Sequence, residues 1–188
     1  SSSLAQYFAD EATLFCWYQV TEHDDSILPF LKYLFKSIKI VYKDFELQDA
    51  SWDQMTAFPK IEHLNKLFTL FCNAFAKIKQ QLFIVIDDFH VVNHVFQINY
   101  VLDHMIEYAP PNVHFIVATR IYPNWDCIRQ LKNKRLLTVI SEEDFVFTLD
   151  EISVLFEDYY ETILSEEEVK RIYDITEGWA MAVILLAM

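Results

Sequence analysis

Asp87, Asp88 and Arg120 stand at the ends of two apolar runs, "LFIVIDD" at residues 82–88 and "HFIVATR" at residues 114–120. Each run is continuous rather than alternating, the pattern of a parallel strand covered by helices on both faces. In an open parallel sheet, side chains at the carboxyl ends of the strands leave the covered core and enter a crevice where ligands bind. Two carboxylates and a guanidinium on one such edge suit a Mg²⁺-phosphate ligand. One Asp can hold Mg²⁺ through water, the second can orient an attacking water, and the Arg can neutralise charge on the transferring phosphoryl group. An Asp pair after a strand is also an ordinary loop start and helix N-cap, so both readings stand at this point.

A second chemistry is offered by His90 and His94, four residues apart beside the same acids. That spacing puts two imidazoles on one helix face as metal ligands and points to a metal-dependent phosphoesterase. Against it, no His-Glu-x-x-His pattern occurs, and His23, His63, His104 and His114 form no complementary cluster; surface or turn histidines are the plainer reading. Covalent catalysis has no support, because there is no Gly-x-Ser-x-Gly elbow and neither the cysteines nor the tracts around Ser141 and Ser165 offer a nucleophile with a base nearby in sequence. The basic stretch "IRQLKNKRLL", with Arg129, Lys132, Lys134 and Arg135, lacks interleaved aromatics and reads as a solvated loop and helix end rather than a nucleic-acid patch.

Composition narrows the classes further. At 188 residues, 53% hydrophobic and 16% aromatic, the chain can build a full core with a small appendage. No apolar run approaches the roughly 18 residues of a membrane span, so a soluble protein without a membrane role is expected. A net charge of -13 opposes direct nucleic-acid binding, which needs clustered Lys and Arg, and places any DNA contact elsewhere. Cys16, Cys72 and Cys127 are odd in number and widely spaced, which suggests reduced core thiols in the cytoplasm. The chain opens on "SSSLAQYFAD" without Met and closes on "AVILLAM" in mid-helix, so both ends read as cut. Gly178 is the single glycine. A loop that wraps phosphate with backbone N–H groups needs glycine, so no complete phosphate loop is expected.

The elements that must position these residues follow from periodicity. A short helix is expected in "SLAQYFAD", then a strand over 14–20. Asp25 or Ser26 caps a helix whose apolar face is Ile27, Leu31, Leu34 and Ile38, with Pro29 tolerated in the first turn. From Pro59, Ile61, Leu64, Phe68, Phe71, Phe75 and Ile78 step by three and four, an amphipathic helix leading into the first apolar run. Val95, Ile98, Leu102 and Met105 mark the next helix, which the breaker "APPN" ends before the second run. "LLTVI", residues 136–140, reads as a further strand. Strands alternating with helices of these lengths predict an α/β fold with a parallel sheet and right-handed crossovers. Beyond it, "TLDE" and "SEEE" are capping boxes that each open a helix. The expected organisation is an α/β core over 1–140 and a small helical subdomain over 141–188.

The order "WYQVTEHDDSILPFLKYL", "LFIVIDDFHVV", "APPNVHFIVATRIYP", "LLTVISEEDFVFTLDEISVLF" and "TEGWAMAVILLA" resembles the ATPase module of the large ATP-binding regulators of the LuxR type, which are STAND-class signal-transduction ATPases. The resemblance runs the length of the chain and implies a P-loop NTPase-like, AAA-like core, here without its first strand and phosphate loop, followed by a helical lid. It implies ATP or ADP and Mg²⁺ as ligands, self-association through the module, and DNA binding only through a C-terminal domain. Residue by residue, "FIVIDD" is similar to the Walker B strand, which implies Asp87 as the Mg²⁺-water ligand and Asp88 as the catalytic acid. "FIVATR" is similar to the sensor strand, with Arg120 facing the terminal phosphate. "SSSLAQYF" is similar to the residues after the phosphate-loop Gly-Lys, so Ser1 matches the Mg²⁺-binding hydroxyl and Ser2 the next position. "TEGW", with Gly178 and Trp179, matches the lid's signature. A nucleotide-binding or degenerate scaffold without turnover is the alternative that this resemblance leaves.

Overall fold

The computed structural model describes residues 13–47 and 59–187. The helix expected in "SLAQYFAD", and with it Ser1 and Ser2, lies outside the described residues. The chain divides into two compact units, residues 1–137 and 138–188.

In the first unit, three strands, β1 (Thr13–Gln19), β2 (Gln81–Asp87) and β3 (Val113–Val117), form a parallel sheet in the order β1-β2-β3. Parallel pairing requires crossovers, and helices supply them: α1 (Ile27–Val41) and α2 (Ile61–Phe75) lie between β1 and β2, and α3 (Phe96–Glu107) between β2 and β3. α4 (Cys127–Asn133) follows. The fold is α/β, as the alternating pattern predicts. Pro29 sits in the first turn of α1, where a missing N–H costs no intrahelical bond. The buried stripes are Ile27, Phe30, Leu31, Leu34 and Ile38 on α1, Leu64, Leu67, Phe71, Ala74 and Phe75 on α2, and Ile98, Val101, Leu102 and Met105 on α3. All three pack in one core with Cys16, Tyr18, Leu82, Ile84, Ile86 and Val113 from a single face of the sheet. Phe45, from the segment after α1, joins them, with its ring 5.6 Å from Phe75 and 6.1 Å from Phe71.

Burial on both faces holds for the central strand, where Ile84, Val85 and Ile86 are all buried. It does not hold for the flanking strands. Trp17 and Ile116, both in register with Val85, remain 40% and 39% exposed. Two further expectations need correction. β3 ends at Val117, so Arg120 lies three residues past the strand rather than on it. "LLTVI" is not a strand: it pairs with no strand among the described residues, and Leu136, Val139 and Ile140 are exposed. A run with strand propensity still needs a ladder partner before its backbone settles as a strand.

The second unit is helical. α5 (Leu149–Tyr160), α6 (Glu166–Thr176) and α7 (Ala180–Leu186) bury Ile152, Phe156, Val169 and Val183 together. Both expected capping boxes are formed. Thr148 takes the Glu151 amide on its hydroxyl while Glu151 accepts the Thr148 amide at 2.8 Å, and Ser165 and Glu168 repeat the pattern. α7 buries Val183 but leaves Met181, Leu185 and Leu186 exposed. Lys170 and Arg171 are the only basic side chains in this unit, so most of the chain's net negative charge resides there.

Candidate functional site

The site is built at the carboxyl edge of the sheet, where Gln19 of β1 and Asp87 of β2 are register partners. The backbone fixes this corner from both sides. Val20 donates its N–H to the Asp87 carbonyl at 3.0 Å, and Phe89 donates to the Ala118 carbonyl at 3.0 Å. Between them Asp88 takes a left-handed conformation, φ 55° and ψ 33°. Such a backbone is uncommon for a residue with a Cβ, though Asp tolerates it better than most, and it turns the chain sharply as it leaves the strand. The Asp88 N–H folds back onto Asp87 Oδ1 at 3.0 Å. One carboxylate is thereby oriented by the backbone of the other.

The Asp88 side chain is flanked by two groups. Gln19 Nε2 donates to Asp88 Oδ2 at 3.2 Å, and His90 Nδ1 lies 3.9 Å from Asp88 Oδ1. The His90 distance is too long for a hydrogen bond, and Nδ1 is buried with no partner among the described residues. His90 sits in a single 3₁₀ turn, Phe89–Val91, held by the buried Phe89 ring packed edge-on against Trp125 at 5.1 Å. Trp125 Nε1 in turn donates to Asn99 Oδ1 at 2.7 Å. Asn99 reaches the carbonyls of Asn93 and Val95, so the segment after β2 is tied to α3. From α3, Asp103 accepts the amides of Asp126 and Cys127 and caps the start of α4.

The sequence-predicted residues meet this frame unequally. Asp87 and Asp88 are together at the sheet edge, both part-exposed. Arg120 follows the neighbouring strand in an exposed bend in which Thr119 Oγ1 bonds the Ile121 backbone at 2.8 Å, and it makes no ion pair among the described residues. Ser1 and Ser2 lie outside the described residues. The shared helix face expected for His90 and His94 does not form, because α3 begins only at Phe96. No group of three or more His, Cys, Asp or Glu among the described residues could hold a metal ion, so the phosphoesterase reading gains nothing.

Gln19 is the residue of this corner that sequence reasoning missed. The only signal for it is positional: it is the last residue of a strand that turns out to neighbour β2, and a linear pattern does not say which strands are neighbours.

The chain is a parallel α/β protein with an acidic pair at the carboxyl edge of its sheet, the edge at which open sheets of this kind bind ligands. Known proteins carry the comparison further. The chain is 26% identical over 98% of its length to the HTH-type transcriptional regulator MalT of Yersinia pestis (strain Pestoides F), and equally to MalT of Yersinia pseudotuberculosis serotype O:1b. It is 22% identical, again over 98% of its length, to MalT of Vibrio parahaemolyticus serotype O3:K6. Each match covers 20% of the relative, so the chain spans about a fifth of the length of the curated relatives it matches. No protein-family model matches it. These relatives bear out the resemblance to large ATP-binding regulators of the LuxR type. No described helix is long and apolar enough to cross a membrane.

Proposed function

We propose that this chain is the nucleotide-binding core and helical lid of a STAND-class ATPase that switches a transcriptional regulator through ATP and ADP. The observation that carries the proposal is the Asp87-Asp88 corner at the sheet's carboxyl edge, set in a chain similar to MalT throughout. Asp87 fits a Mg²⁺ site by donor chemistry: it offers hard carboxylate oxygens, and with Oδ1 taken by the Asp88 amide the second oxygen, which accepts no hydrogen bond among the described residues, can hold a metal-bound water. Ser1 supplies the hydroxyl ligand in this reading, with Ser2 beside it. Bound Mg²⁺ would offset phosphate charge.

Asp88 orients the attacking water and takes its proton. The water oxygen bonds to the terminal phosphorus as the bond to the bridging oxygen breaks, and ADP leaves with that electron pair. Arg120, exposed and without an ion-pair partner among the described residues, is available to a terminal phosphate. Self-association of the module and DNA binding through a separate domain complete the switch. The test is titration of the full-length regulator with ATP and ADP, following hydrolysis, oligomeric state and promoter binding. Indifference of all three to the nucleotide would overturn the proposal.

A further inference from the structure

The helical unit carries a groove that the nucleotide reading does not use. It runs along α5, lined by Phe147, Asp150, Glu151, Val154, Leu155 and Tyr159, with a volume of about 460 Å³ and walls that are almost wholly apolar. Helical spacing explains its shape. Glu151, Leu155 and Tyr159 recur every four residues, Asp150 and Val154 form the row beside them, and Phe147 closes the end before the N-cap, so the groove follows the helix for about two turns. Phe147 and Leu155 form its floor, where they pack against the core of the unit. Val154 and Tyr159 stand out from that floor, 53% and 79% exposed. Single apolar residues on a surface need no explanation, but exposed ones that line a groove floored by core mark an interaction site.

We infer that this groove docks a cationic amphipathic helix of a partner protein, with apolar side chains seated against Val154, Leu155 and Tyr159 and Lys or Arg side chains facing the acids around them. A groove that follows a helix fits a second helix, whose anchors fall at i, i+3 or i+4, and i+7. Charge selects the sign of the partner. Over residues 138–188, thirteen Asp and Glu stand against Lys170 and Arg171, and neither base lines the groove. Glu151 is held at one end by the Thr148 amide and hydroxyl, at 2.8 and 3.0 Å. Asp158, exposed and four residues past Val154, extends the row of Asp150 toward the other end. Such a field repels nucleic acid and anionic lipid and draws in a basic segment, while the apolar walls reject a purely ionic partner. The inference is independent of what binds at the sheet edge.

The experiment uses the full-length protein and two synthetic peptides of about 15 residues made of Leu and Lys alone. In one, Leu recurs at helical spacing on a single face; in the other, the same composition is scrambled so that no apolar face forms. Calorimetric titration at low and high salt should find the amphipathic peptide binding at least about tenfold more tightly than the scrambled one, and weakening severalfold as salt is added. Val154→Ser with Tyr159→Ser changes two exposed side chains and no charge, and should lower the affinity about tenfold. Asp150→Asn with Asp158→Asn should lower it severalfold and flatten the salt dependence. Glu166→Gln with Glu167→Gln removes the same charge at the start of α6, away from the groove, and should cost clearly less. Equal binding of the two peptides, no effect of the Val154 and Tyr159 changes, or equal losses from the two charge-removing pairs would each reduce the contact to general attraction between opposite charges and overturn the inference. No binding at low salt would mean that another part of the regulator or a second copy fills the groove, which overturns it as well. None of these outcomes bears on ATP hydrolysis, so this inference and the nucleotide reading fail separately.

Discussion

Phe147 donates its backbone N–H to the carbonyl of Gly178 at 2.8 Å, and the single glycine of the chain thereby joins the entry to α5 to the start of α7. Val146 and Trp179 form an antiparallel bridge at the same place. Gly178 holds φ at +75°, a Cβ there would run into the Phe147 carbonyl oxygen, and Val146 Cγ1 would lie 2.5 Å away. Both the conformation and the space therefore demand glycine.

Gly178→Ala is expected to cost about 2–4 kcal/mol, combining left-handed strain with a backbone clash that no flexible side chain can relieve. The loss should stay within the helical unit. Hydrogen exchange on the intact chain would show amides of α6 and α7 losing protection while those of β2 keep theirs. Unchanged protection in α6 and α7 would mean the bridge contributes little.

Acid should loosen the same unit. The carboxyls of Glu151 and Glu168 are held below the ordinary 4.5 of a glutamate, first by the backbone N–H of Thr148 and Ser165 and then by their hydroxyls. Asp144 is lowered in the same way by Ser141. A lowered folded-state value means the unfolded chain binds more protons in this range. The stabilisation is therefore complete above the unfolded value and is lost as pH falls through the folded values. Acid titration followed by exchange in α5 and α6 should show it, and Glu151→Gln with Glu168→Gln should flatten the response. Thr148→Ala and Ser165→Ala should each cost about 1 kcal/mol at neutral pH.

These capping boxes were legible in the sequence because the signal is local, with two side chains three residues apart satisfying each other's backbone. β2 was legible for a related reason: a central parallel strand is buried on both faces, so its run is continuous and needs no neighbour to be recognised. Arg120 and "LLTVI" were placed less well, since the end of a strand depends on its partner's register. β3 stops at Val117 opposite Ile86, one residue short of the acidic pair. The contact of Gln19 with Asp88 was invisible because it arises from pairing between residues 69 apart in sequence. The left-handed turn at Asp88 was equally hidden, as no glycine announces it.

The three thiols should resist alkylation in the folded protein. All are free, and burial pushes Cys16 up to about 12 and Cys72 up to about 11. Cys127 is raised by burial first and by its hydrogen bond to Asp103 second. The thiolate is the reactive form, so at pH 8 iodoacetamide should label the native chain slowly, with the part-exposed Cys72 first. Urea should bring all three to the same rate. Rapid native labelling of Cys16 would show that the β1 core opens far more often than its packing allows.

The roles proposed for the sheet edge separate in the full-length protein. Asp87→Ala should weaken Mg²⁺-dependent nucleotide binding and turnover together, because a metal that bridges phosphates does so in the ground state as well as in the transition state. Asp88→Asn should lower turnover and leave binding in place: the amide keeps the shape of the carboxylate but cannot accept a proton. Gln19 sharpens this expectation, since the carbonyl oxygen of an Asn at 88 can still take the Gln19 amide at the Oδ2 position and hold the side chain where it was. Arg120→Ala should reduce ATP affinity more than ADP affinity, a charge-assisted contact to the terminal phosphate being worth about 1.5–3 kcal/mol. The exposed setting of Arg120 in its bend favours the lower end of that range, because solvent competes for the guanidinium until the phosphate arrives. Parallel ATP and ADP titrations of the three variants check all of this. If Arg120→Ala lowers both affinities equally, the guanidinium does not distinguish the terminal phosphate, and its sensing role has to be given up while those of Asp87 and Asp88 stand on their own results.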